Sequence, residues 1–165
     1  MTYAHLETTV PSHSQKVIAK FQQQAPVNVV AIAQALGLNV WEQKLGPNIS
    51  GKLFRDSVNG GGAGFSICVN STEAINRKRF TVAHEVAHFI LHSAQISDLT
   101  DDTFYRSSLS TAQEVEANKL AADIIMPYQL IDSLQRNGVV GVSGLAQALQ
   151  VSEVAMMIRL GIPIP

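Results

Sequence analysis

Residues 81–92 read TVAHEVAHFILH, and the rest of the chain is best interpreted outward from them. His84, Glu85 and His88 form the pattern H-E-x-x-H. Side chains four residues apart on a helix lie one above the other, so both imidazoles face the same way and Glu85 stands beside them. Zinc takes imidazole nitrogen at about 2.0–2.1 Å in a tetrahedral set, and two histidines on one rigid helix supply half of that set. On a helical wheel with His84 at zero, His88 falls at about 40°, Thr81 at about 60°, His92 at about 80° and Glu85 at about 100°. Every other position from Phe80 to Leu91 is apolar. The expected helix is therefore buried nearly all round, with one narrow polar stripe. A surface helix has a wider polar face, and a stripe inside a core is costly unless its groups find partners. A metal ion and its water would be such partners.

A catalytic zinc site needs a third protein ligand. The pattern that adds a glycine and a third histidine after the second one fails here, because Leu91 and Ala94 stand at those places. That leaves a downstream carboxylate, and STAQEVEANKLAADIIMP (110–127) offers Glu114, Glu116 and Asp123. On its own wheel, Glu114 shares a small and apolar face with Ala117, Asn118, Ala121 and Ile125, whereas Glu116, Lys119 and Asp123 lie opposite, at about 140–200°. Glu114 is accordingly chosen as the ligand, and the opposite face is read as solvated charge. Asn118, one turn on, is placed to hydrogen-bond a ligand. The alanines at 117, 121 and 122 let this helix come close to the histidine helix.

Upstream, residues 14–24 look helical and polar, and 28–36 form a short amphipathic helix closed by Gly37. LNVWEQ (38–43), GKLFRD (51–56) and GFSICVN (64–70) read as strands, the last two joined by the glycine-rich VNGGGAG (58–64) as a hairpin. That loop precedes no helix, which argues against a phosphate cradle. Helices are expected over 76–92, 111–125 and 128–136, with an exposed polar loop over 93–110. Two short helices, near 143–149 and 152–160, follow with Ser143 and Ser152 as N-caps and a helix-turn-helix character. The expected fold is α+β: a small antiparallel or mixed sheet packed on the histidine helix and a second, glutamate-bearing helix, ending in a short helical tail.

Composition narrows the setting. Of 165 residues 46 % are hydrophobic, enough for a real core, and the formal charge of −1 gives no long-range pull toward nucleic acid or anionic lipid. The second tail helix has Arg159 as its single basic residue, so DNA binding by the tail is not expected. One cysteine, Cys68, can form neither an internal disulfide nor a thiolate zinc site. The start MTYAHLETTV has no signal-peptide pattern, and no apolar run approaches the roughly 20 residues needed to span a bilayer. A cytoplasmic protein without membrane contact is the expectation.

Two blocks, NxxxxxxRxRFTVAHEVAHFILH from Asn70 to His92 and EVEANKLAADIIMP from Glu114 to Pro127, together resemble the ImmA/IrrE family of metallopeptidases. Leu120 and Ile124-Ile125 depart from residues common in that family and touch none of the proposed chemistry. The resemblance implies a peptidase core over about residues 26–135, between an N-terminal helical segment (1–25) and the small helical tail (136–165). It also implies a His-His-Glu zinc site and a glutamate base. The expected reaction is peptide-bond hydrolysis, with Glu85 taking a proton from water and delivering it to the leaving amine. Tyr105, Arg106 and His92 are the candidates for steadying the oxyanion, His92 also for supporting a ligand. Zinc is the expected metal, and manganese or iron suits the same ligands. The strand GFSICVN is a candidate for pairing with an extended substrate. The substrate class, a helix-turn-helix repressor whose cleavage relieves repression, comes from the resemblance alone. The alternative is a metal-binding regulator, for instance a toxin–antitoxin component, that acts by protein binding without proteolysis.

Overall fold

The computed structural model describes residues 9–95 and 110–165. Helix α1 (Ser12–Phe21) starts and stops earlier than the sequence suggests. Gln22 leaves the helix, and its side-chain amide donates to the carbonyls of Asp123 (2.8 Å) and Ile124 (3.0 Å), satisfying acceptors near the end of a distant helix. Helix α2 (Val29–Ala35) is capped by Asn28, whose Oδ1 accepts from Ala31 N at 3.0 Å. It ends at Ala35, and the chain turns into the sheet through Gly37, which has a φ of +88°.

Three strands follow: β1 (Leu38–Gln43), β2 (Gly51–Arg55) and β3 (Phe65–Asn70). They form a mixed sheet in the order β1-β3-β2, with β1 parallel and β2 antiparallel to β3. Strand β3 is buried along its whole length, its polar Ser66 and Asn70 included. Its buried Ser66 donates to Asp56 Oδ2 at 2.8 Å. Asp56 also accepts from the backbone N–H of Asn59 and Val58, and these bonds, that to Asn59 first, hold its carboxyl below the ordinary carboxylate range. The glycine-rich loop between β2 and β3 serves packing: a Cβ on Gly61 would lie 2.2 Å from Gly37 O, so only glycine permits this close approach.

Helix α3 (Ile75–His92) carries the H-E-x-x-H pattern and lies against the sheet and against helix α4 (Thr111–Ile125). It continues into a 3₁₀ turn over Ser93–Gln95, where a loop was expected. The buried face of α4 consists of Ala117, Leu120, Ala121, Ile124 and Ile125, and the alanines allow the close contact with α3. Helices α5 (Tyr128–Arg136), α6 (Gly141–Leu149) and α7 (Glu153–Leu160) complete the chain. Ser152 caps α7, accepting from Ala155 N at 3.0 Å. Ser143 caps nothing: α6 begins two residues earlier, at Gly141, after the uncapped Val140.

Leu145, Leu149 and Met156 of the tail join the same hydrophobic core as the sheet and α3. Two arginines hold the tail in place. Arg79 on α3 donates to Val27 O at 2.8 Å and to Leu149 O at 3.4 Å. Arg159 on α7 pairs with Asp123 at 2.8 Å, donates to Met126 O at 2.8 Å and stacks 3.9 Å from the ring centre of Tyr128. Asp123 is thus not the solvated charge expected from the wheel. Burial pushes its carboxyl above the ordinary range, opposed by the guanidinium of Arg159. Among the described residues, no helix is long and apolar enough to cross a membrane.

Candidate metal centre

Helix α3 presents His84 and His88 one turn apart, their rings edge to face at 4.5 Å between centres. Helix α4 delivers Glu114 from its first turn. Its start is fixed by a capping box, in which Ser110 Oγ accepts from Gln113 N (3.2 Å) and Gln113 Oε1 accepts from Ser110 N (2.9 Å). The amide of Gln113 also hydrogen-bonds Gln95, tying the end of α3 to the start of α4.

The three donor groups converge. His84 Nε2 and His88 Nε2 are 3.0 Å apart, and Glu114 places Oε2 3.3 Å from the first and Oε1 3.2 Å from the second. An ion bound at about 2.0–2.1 Å in tetrahedral geometry spaces its ligands by about 3.3 Å, close to these separations, with each imidazole facing a different oxygen of Glu114. Two neutral nitrogen lone pairs and a carboxylate are also the donor chemistry a borderline-soft divalent cation takes. The residues present fit a metal ion.

Neighbouring groups set the histidine protons. Asn118 Oδ1 lies 2.9 Å from His84 Nδ1, which makes Nδ1–H the donor and leaves the Nε2 lone pair toward Glu114. His92 is buried, and its Nδ1 stands 3.0 Å from His88 Nδ1. It meets His88 on the nitrogen that does not face Glu114. Its Nε2 lies 3.3 Å from Glu116 Oε2. Glu116, read from the wheel as surface charge, therefore touches this network although its side chain is 60 % exposed. A wheel treats one helix at a time and does not register a long carboxylate reaching to the next turn of a crossing helix. The recurrence of histidine at 84, 88 and 92 was the available signal.

Glu85 is 1 % exposed and borders a cleft of about 310 Å³, together with His84, Glu114, Asn118, Thr81 and Ser50. Tyr105 and Arg106 lie outside the described residues. Strand β3, considered for substrate pairing, has neighbours on both sides and has no free edge. Among the described residues, β2 is the outer strand beside the histidine helix, and a Cβ on its first residue, Gly51, would come within 2.5 Å of Thr81 Cγ2.

A mixed sheet backed by a helix with two facing imidazoles, and crossed by a helix with a converging carboxylate, defines the class of metallopeptidase-like proteins. The family model described as the IrrE N-terminal-like domain, Peptidase_M78, matches residues 33–161, and the chain belongs to this metallopeptidase family. The match extends through both tail helices. The chain is 39 % identical over 70 residues to the radiation response metalloprotease IrrE of Deinococcus deserti, a stretch covering 41 % of this chain and 25 % of that protein. The similarity thus spans about a quarter of that relative's length. A Mycobacterium tuberculosis transcriptional regulator shares the fold with a TM-score of 0.60 at 13 % identity, over 96 % of this chain and 49 % of that one.

Proposed function

We propose that this chain is a zinc-dependent peptidase that hydrolyses a peptide bond in a protein partner, with a helix-turn-helix repressor as the substrate class. His84, His88 and Glu114 would hold the ion, and manganese or iron would suit the same donors. The observation that carries the reading is the convergence of His84 Nε2, His88 Nε2 and the Glu114 carboxylate at 3.0–3.3 Å, with a buried carboxylate, Glu85, on the cleft beside it. Bound there, zinc supplies Lewis acidity, which lowers the pKa of water toward about 7 and polarises a carbonyl. Glu85 accepts the proton from water and delivers it to the leaving amine. Asn118 orients His84. A second cleft, of about 730 Å³, shares Phe80 and Asn118 with the first and continues to Ile158 on α7, giving a protein substrate a surface beyond the scissile bond. DNA binding is not part of this reading, because Arg159 is committed to Asp123, Met126 and Tyr128.

The test is incubation of the zinc-loaded protein, and of its Glu85→Gln variant, with a helix-turn-helix repressor encoded beside its gene. Cleavage by the parent and a loss of about 10²–10⁴-fold in rate for the variant support the peptidase, since a positioned general base contributes that much. Zinc bound by both with cleavage by neither replaces it with the non-proteolytic regulator.

A further inference from the structure

His92 and Glu116 take no part in the donor triangle, yet they are connected to it by two hydrogen bonds in series. We propose that Glu116 and His92 act as a positioning pair that fixes the proton and the ring orientation of His88. This rests on the reading of His88 as a metal ligand.

Proton counting carries the argument. His88 Nδ1 and His92 Nδ1 are 3.0 Å apart, and a hydrogen bond between two imidazole nitrogens holds a single proton. Glu116, at 3.3 Å from His92 Nε2, is a carboxylate and accepts. With an ion on His88 Nε2, the shared proton belongs to His88 Nδ1, so His92 accepts it on Nδ1 and donates from Nε2 to Glu116. In the reverse arrangement His88 would bear its proton on Nε2, the nitrogen 3.2 Å from Glu114, and could not ligate an ion.

Burial makes the chain consequential. His88 is 1 % and His92 3 % exposed, so water does not compete for the bond between them. Two packed imidazoles are costly in a core unless their polar atoms are satisfied, and an aliphatic residue at 92 would fill the space without that requirement. The two candidate ligands thus receive different support: His84 has a neutral amide, Asn118, and His88 has an imidazole ending in a half-solvated carboxylate. Both supports come wholly or partly from α4, so docking of this helix would deliver Glu114 and set both histidine tautomers together.

The test uses the full chain with His92→Phe, Glu116→Ala and Glu116→Gln. Zinc dissociation constants are measured by competition with a chromophoric chelator, and thermal unfolding is measured on the metal-free proteins. Loss of a group that orients a metal ligand weakens binding about 10–100-fold. That loss is expected for His92→Phe, and a smaller one for Glu116→Ala. Recovery is expected in Glu116→Gln, whose amide oxygen still accepts from His92. Long-range proton–nitrogen spectra of the zinc-loaded parent should show His92 protonated at Nε2, with that preference weakened in Glu116→Ala. Glu116 is exposed enough that its alanine variant tests the pair even if His92→Phe fails to fold. Parent-like zinc affinity in Glu116→Ala, or His92 protonated at Nδ1 in the zinc-loaded parent, overturns the positioning role and leaves the peptidase reading standing. A parent that binds no zinc overturns both.

Discussion

The two helices that meet at the donor triangle are built on opposite terms. Helix α3 is buried from Thr81 to His88 apart from the half-buried His84, and helical geometry alone, four residues apart, sets its two histidines on one face. Helix α4 is half open to solvent at its start, where Glu114 is 38 % exposed, and its carboxylate meets the imidazoles only because the two helices cross at that point. One side of the site is thus written in local structure, and the other exists only in the tertiary fold. The comparison teaches where the site should be robust and where it should be tunable.

The sharpest way to break the asymmetry is to remove one donor from each helix. His88→Ala is expected to abolish stoichiometric zinc binding, because it deletes a ligand and empties a buried position at once. Glu114→Ala should retain weak binding through the two imidazoles. The readout is the rise in melting temperature on adding zinc. An ion at about 100 times its dissociation constant stabilises the folded state by about 2.7 kcal/mol, so the parent should shift by several degrees, Glu114→Ala less, and His88→Ala not at all. Equal shifts in the two variants would remove the distinction between the helices.

The seat of α3 on the sheet is the next point to press. A Cβ at Gly51 would lie 2.5 Å from Thr81 Cγ2 and 3.0 Å from Cys68 O, so Gly51→Ala must displace either β2 or α3. Overpacking of this kind destabilises by about 1–3 kcal/mol. Adding Thr81→Ser, which removes the offending methyl, should return part of the loss in denaturant unfolding. No recovery in the double variant would show that the clash with Cys68 O dominates.

The smallest effect belongs to the start of α4. Ser110→Ala removes one arm of the capping box and is expected to cost about 1 kcal/mol. Because Glu114 sits one turn further on, zinc affinity should fall as well. Ser143→Ala, at a serine that caps nothing, should change stability by less than about 0.5 kcal/mol. Denaturant midpoints for the two variants decide whether the cap or simply the serine side chain matters.

These contrasts follow what could be read from residues alone. The boundaries of α3 and α4, the three strands and the hairpin were legible because each rests on local patterning, apolar periodicity or a glycine. Glu114 was legible because its neighbours on the wheel are alanines and asparagine. What could not be read was tertiary. Glu116 and Asp123 are charges on the outward face by the wheel, yet one meets His92 and the other Arg159, each from a different helix. The central place of β3 was hidden because strand order is a long-range property, and β3 follows β2 in sequence while lying between β2 and β1. Arg79, conspicuous in the sequence motif, proves to bind backbone carbonyls far from the triangle, a role no spacing rule announces.

The paired arginine clasps also bear on where this chain can be shortened. A truncation after residue 135, which the motif boundaries would invite, discards Leu149 O and Arg159, the far ends of both clasps. It leaves Asp123 partly sheltered and without its cation. It also strips away Leu145, Leu149 and Met156, apolar side chains whose burial stabilises by about 1.5–3 kcal/mol each. A trimmed protein of that kind would be prone to aggregate, and loss of its activity would say nothing about the chemistry of the missing helices.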